Sequence, residues 1–110
     1  MIKVKILKRN GKSVGFDISC HSGYAENGKD IVCAAVSSAV GFCETLLNDS
    51  LGAKASVTVQ PDTARIALSL SGNGDVDLQI KILSALERHL LGIAEEYPKY
   101  IEVLEVQSNA

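Results

Sequence analysis

The sequence predicts an α+β fold, a two-layer sandwich in which two helices cover one face of a mostly antiparallel sheet in the order ββαββαβ. Three observations carry that expectation. Apolar and polar residues alternate with a period of two in several short runs, apolar residues recur at helical spacing in two longer ones, and Gly, Asn, Asp or Pro clusters separate the runs. The whole chain, 1–110, has the length of one domain with one core, and no repeat or linker divides it.

Ile2, Val4 and Ile6 alternate with Lys3 and Lys5, the pattern of a strand with one wet face. Asn10-Gly11 then supplies a two-residue hairpin turn, and Val14, Phe16 and Ile18 continue the alternation to Cys20-His21. The segment from Ser22 to Lys29 has loop composition. Asp30 is a candidate N-cap for a helix whose apolar stripe is Val32, Val36, Ala39, Val40, Cys43, Leu46 and Leu47. Asn48 to Gly52 ends that helix. Residues 55–60 and 64–70 are strand-like and flank the turn Pro61-Asp62-Thr63. Ser71 to Asp75 breaks the chain and caps a second helix, with Val76, Ile80, Leu83, Leu86, Leu90 and Ile93 on its stripe, ending near Tyr97-Pro98. Ile101, Val103, Leu104 and Val106 suggest a last strand.

Composition narrows the function. A net charge of -2 gives no global basic field, and with 5% aromatic residues stacking platforms are scarce, so no direct nucleic-acid binding is expected. Lys3, Lys5, Lys8, Arg9 and Lys12 form a local basic cluster, read as the solvated face of a strand, with a charge-protected sheet edge as a variant. No apolar run is read as long enough to span a membrane, and Met1 to Lys8 lacks the continuous apolar core of a signal peptide. With three cysteines and no export signal, the expectation is three thiols in a reducing cytoplasm.

The chemistry concentrates between Cys20 and Ser37. With Asp30 as cap, Cys33 is the third helical residue, where unpaired backbone N–H groups and the macrodipole favour a thiolate. His21 ends the preceding strand, and Gly23 and Gly28 give the loop the bends that bring an imidazole to the helix start. A thiol and a base so placed suit nucleophilic catalysis on a carbonyl. Against this stand simpler roles, a small buried hydrophobe for Cys33 and a backbone-bonded loop residue for His21. Asp30 and Asp17 are candidates to orient the imidazole, Asp17 because it alternates with His21 on one strand face.

A metal site is not expected. Cys33 and Cys43 are ten residues apart on one helix, a rise of about 15 Å that neither one ion nor one disulfide bridges. Cys20 and His21 point to opposite faces of a strand. Cys43 reads as core, His89 as a boundary residue of the second helix, and no cofactor motif is present.

The run Cys20-His-Ser-Gly-Tyr-Ala-Glu-Asn-Gly-Lys-Asp-Ile-Val-Cys-Ala-Ala-Val-Ser37 resembles the signature of the ribosomal-processing cysteine protease family, Prp. The portion from Gly28 to Ser37 is the specific one, and Cys20 departs from it, since the family commonly has glycine before the histidine. The resemblance implies a bacterial, cytoplasmic homodimer that removes the N-terminal extension of a large-subunit ribosomal protein, cutting after paired phenylalanines. Carried over, His21 is the base and Cys33 the nucleophile. The loop from Ser22 to Lys29 would cover the peptide, making Ser22, Gly23, Tyr24 and Gly28 candidate substrate contacts, with Ser37 one helical turn beyond Cys33. Two other classes stay open on the residues alone: a non-catalytic peptide-binding or ribosome-assembly module, and a thiol redox protein using Cys33 with Cys20 as partner.

Overall fold

The computed structural model describes residues 1–20 and 27–108, with residues 27–30 described by their backbone alone. Five strands and two helices follow the expected order: β1 Ile2–Arg9, β2 Lys12–Cys20, α1 Asn27–Glu44, β3 Ser56–Gln60, β4 Arg65–Ser69, α2 Val76–Glu96 and β5 Ile101–Gln107. They form one sheet in the order β3-β4-β2-β1-β5. β1 with β2, β2 with β4 and β3 with β4 pair antiparallel, while β5 runs parallel to β1. β1 is therefore interior, and Lys3 and Lys5 lie on the open face of the sheet rather than at an edge, while Lys8 turns to α2.

The β1–β2 turn places Asn10 at φ 52° and Gly11 at φ 75°, the positive pair that a two-residue hairpin demands. The pairing slips between Leu7 and Lys8, and Gly15 beside the slip has no room for a side chain, since a Cβ there would lie 2.3 Å from the Leu68 carbonyl oxygen. A glycine permits β2 and β4 to approach this closely.

Ile2, Val4 and Ile6 from β1, Phe16 and Ile18 from β2, Leu68 from β4 and Ile101 from β5 point to one face and are buried. Val32, Val36, Val40 and Cys43 of α1 and Leu83, Leu86 and Leu90 of α2 pack onto them in a single cluster. α1 continues as a wider π-helical turn over Thr45–Ser50, closed by the Leu51 N–H on the Leu46 carbonyl. The Asn48 amide then mimics a strand neighbour, donating to the Ala55 carbonyl at 3.2 Å and accepting from the Ala55 N–H at 2.8 Å, which fixes the entry to β3. Asp75 caps α2 as expected, its carboxylate accepting from the Leu78 N–H.

The sequence reading of membrane spans needs correction. The segment Ile31–Ser50 is long and apolar enough to cross a membrane, at 20 residues and a mean hydropathy of 1.6. Its apolar stripe is nonetheless spent on the sheet, where Val32, Val36, Val40, Cys43 and Leu47 lie in the core.

Three polar residues, Ser13, Gln79 and Glu87, are buried with that core. Glu87 of α2 accepts from the Lys8 ammonium at 2.7 Å and from the Ser13 hydroxyl at 2.9 Å, and Lys8 also donates to Ser13 at 2.9 Å. Burial opposes the Glu87 charge, but the hydrogen bonds from Lys8, Ser13 and the Glu105 carboxyl, with the Lys8 charge, outweigh it and lower the pKa. This cluster pins α2 to the β1–β2 hairpin.

Candidate active site

α1 begins at Asn27, one turn earlier than its composition suggests. Asp30 is thus the fourth residue of the helix rather than its cap, and Cys33 the seventh rather than the third. Acidic residues are favoured both at a cap and in the first turn, so residue type alone does not separate the two positions. The shift has a chemical consequence. Unpaired N–H groups and the strongest dipole field belong to the first turn, and Cys33 stands in the second.

Cys33 is half-buried and packs against the core between the buried Val32 and Val36. Ser37, one turn later, is exposed. Between α1 and the ends of β2 and β4 lies a small concavity of about 170 Å³, lined by Ile18, Cys20, Val36, Ser37, Val40, Gly41, Ala64 and Ile66. Its rim is held by an unusual contact. Ala64 adopts the left-handed conformation at φ 48°, and its carbonyl accepts from the Cys20 N–H at 3.0 Å.

Asp17 belongs to the other side of the sheet. It pairs across from Lys5 and Ala67, while its neighbours Phe16 and Ile18 face the helices. Both carboxylate oxygens accept from Arg65, each at 2.8 Å. The hydrogen bond from Arg65 outweighs burial and, with the charges of Arg65 and Lys5, lowers the Asp17 pKa. As a candidate orienter of His21 it already has a bidentate partner, on the face away from Cys33.

His21, Ser22, Gly23 and Tyr24 lie outside the described residues, as does the side chain of Asp30, while the Gly28 backbone falls in the first turn of α1. Cys43 is core, and burial pushes its thiol up to about 11, out of range as a nucleophile. No disulfide joins the cysteines among the described residues.

A larger groove of about 590 Å³ runs between α1 and α2, lined among others by Ala35, Ala39, Phe42, Leu46, Ile82 and His89. His89 is exposed at its wall and Phe42 is 72% exposed beside it. Sequence reasoning missed the groove. Its signal was present in Phe42, a large apolar residue adjacent to the core position Cys43 but off the buried stripe.

Comparison with known proteins agrees with this architecture. A family described as Cysteine protease Prp matches residues 1–102. No curated protein sequence matches the chain. Among solved structures, SMU.848 from Streptococcus mutans is similar at 22% identity and a TM-score of 0.86, covering 98% of this chain and 96% of that one. The ribosomal processing protease Prp from S. aureus in complex with a substrate peptide is similar at 23% identity and a TM-score of 0.85, covering 96% of this chain and 100% of that one. The same S. aureus protease with a covalently linked product peptide gives 22% identity and a TM-score of 0.83, with the same coverage. At these identities the structural likeness speaks to the fold, and the match over residues 1–102 speaks to the family.

Proposed function

We propose that this chain, which belongs to the cysteine protease Prp family and is a cysteine protease, removes the N-terminal extension of a large-subunit ribosomal protein in the cytoplasm. The family match over residues 1–102, which includes the run from Cys20 to Ser37, is the observation that carries the reading. One solved structure that shares its fold is of a ribosomal processing protease in complex with a substrate peptide.

In the mechanism, the Cys33 thiolate attacks the scissile carbonyl and an S–C bond forms. The tetrahedral oxyanion collapses as the C–N bond breaks, and the His21 imidazolium gives its proton to the departing amine. Water then attacks the thioester, His21 takes its proton, and the acid product leaves with the Cys33 sulfur restored. Neither step uses a metal or cofactor. Since Cys33 sits one turn past the helix start, His21 is assigned the main share of thiol activation, and Asp17 a role in the sheet.

A homodimer fits the exposed apolar residues of the helices: Ile31 is 63% exposed and Phe42 72%, both on α1, and Leu91 43% on α2. A two-fold contact would seat each Phe42 against the partner's α1–α2 groove.

The substrate is tested by incubating the protein with the ribosomal precursor and reading the new N-terminus by mass spectrometry. The expected result is one cut that releases the extension. A stable complex with no product would replace the protease by a binding module.

A further inference from the structure

Ala64 is held in the left-handed conformation, at φ 48° and ψ 46°, although it carries a Cβ. That region is costly for such a residue, and it persists where the surrounding structure demands it, often beside active sites. Both backbone polar groups of Ala64 are engaged. Its N–H donates to the Pro61 carbonyl at 3.1 Å and closes the turn Pro61–Thr63, and its carbonyl accepts from the Cys20 N–H at 3.0 Å. The regular pairing of β2 with β4 ends at Ser19 and Arg65. The left-handed bend carries that pairing one residue further, to the last residue of β2, which faces Ile2 of β1 on its other side. The Ala64 side chain is exposed, so packing does not account for the strain, whereas the hydrogen bond to Cys20 does.

Arg65 ties the same strand end from the open face of the sheet. In register with Ser19, it reaches diagonally to Asp17, where its Nε and Nη2 each donate to one carboxylate oxygen at 2.8 Å. Among the described residues this is the one ion pair that joins β2 to β4. A planar guanidinium on both oxygens fixes direction as well as distance. On the helix side, Cys20 and Ala64 line the small concavity together with Val36 and Ser37 of α1, and Ser37 stands one turn along from Cys33. The residue after Cys20 is His21. The clamp thus holds the strand end that leads to the base beside the helix that carries the nucleophile.

We infer that Ala64 and the Asp17–Arg65 pair are positioning residues of the protease, fixing the backbone of Cys20 as the anchor from which His21 is presented to Cys33. Arg65 lies on the face away from Cys33, so its effect on the reaction passes through the strand. The inference rests on the proposed proteolysis by His21 and Cys33, and two readouts separate them. On a peptide spanning the cut, kcat and KM are measured for wild type, Ala64→Val, Ala64→Asn and Arg65→Gln. Without peptide, the rate at which iodoacetamide alkylates Cys33 is followed by mass spectrometry with peptide mapping, and His21→Ala marks the rate without the base. Circular dichroism confirms that each variant is folded.

Valine is strongly disfavoured in the left-handed region, whereas asparagine, of comparable size, tolerates it. Ala64→Val should therefore lower kcat by about ten- to hundredfold with little change in KM, and slow Cys33 alkylation toward the His21→Ala rate. Ala64→Asn should keep both rates close to wild type, and Arg65→Gln should lose about tenfold in kcat. Equal losses in the valine and asparagine variants, a rise in KM with kcat unchanged, or alkylation that does not depend on His21 would overturn the positioning role. Alkylation that slows in Ala64→Val but not in Ala64→Asn, with no peptide cut by wild type, would uphold the clamp and remove the protease. Should Ala64→Val fail to fold, Arg65→Gln decides: lower kcat with slower alkylation upholds the clamp, and wild-type values of both overturn it.

Discussion

Glu87 shows how one carboxylate organises its surroundings. Its side chain is 9% exposed and that of Lys8 12%, so removing Lys8 leaves a nearly buried charge without its cation. Lys8→Met should destabilise the protein by about 3 kcal/mol, measured by urea denaturation. The pH dependence has a definite sign. The folded pKa values of Glu87 and Asp17 are both lowered from their ordinary 4.5 and 3.8, so their stabilisation is complete above those values and is lost as pH falls through the depressed ones. The melting temperature should be level at about pH 6 and fall progressively below about pH 4.5. In Glu87→Gln it should be lower at neutral pH and fall less steeply in acid; an unchanged acid slope would show that Glu87 does not set it. None of this was visible in the sequence, because Lys8 and Glu87 are 79 positions apart and each looks like an ordinary surface charge. The candidate Cys33 was legible, since its residue type, helix and motif coincide.

Among the strands and helices, periodicity was read reliably and boundaries were not. The alternation in β1 and β2 and the two helical stripes were legible because burial on one face writes its period into the residues. The start of α1 was misplaced because Asn27, Gly28 and Lys29 carry loop composition yet are helical, and that error moved Cys33 by one turn. The parallel partner of β5 was hidden because nothing in Ile101–Gln107 identifies its neighbour. Two glycines make a contrasting pair of tests. Gly15 abuts the Leu68 carbonyl oxygen, so Gly15→Ala must push β2 and β4 apart and should cost about 1–3 kcal/mol. Gly41 faces open space, so Gly41→Ala should stabilise α1 by about 0.5–1 kcal/mol. Chemical denaturation of both variants checks the pair, and equal effects of the same sign would contradict the geometry.

As a whole, the molecule presents three faces of different character. One side of the sheet is open and carries Lys3, Lys5, Asp17 and Arg65, the helix side holds the core, and the outer surface of the helices exposes Ile31, Phe42 and Leu91. Sequence patterning revealed the first two. It left the third unread, because a stripe that meets a sheet and one that meets a partner have the same period. Sedimentation should give a dimer for the wild type, and Phe42→Asp should shift it to monomer without lowering the melting temperature of dilute protein. A wild type that sediments as monomer at working concentration would remove the dimer.

Everything proposed for the chemistry depends on Cys33 attacking the peptide and carrying the acyl group. Intact-protein mass spectrometry of a reaction quenched in acid during turnover, followed by peptide mapping, reads that step itself. A mass gain equal to the N-terminal product should appear on Cys33, with both the adduct and the cleavage absent from folded Cys33→Ala. An adduct on another residue, or cleavage by Cys33→Ala at the wild-type rate, would refute Cys33 as the nucleophile.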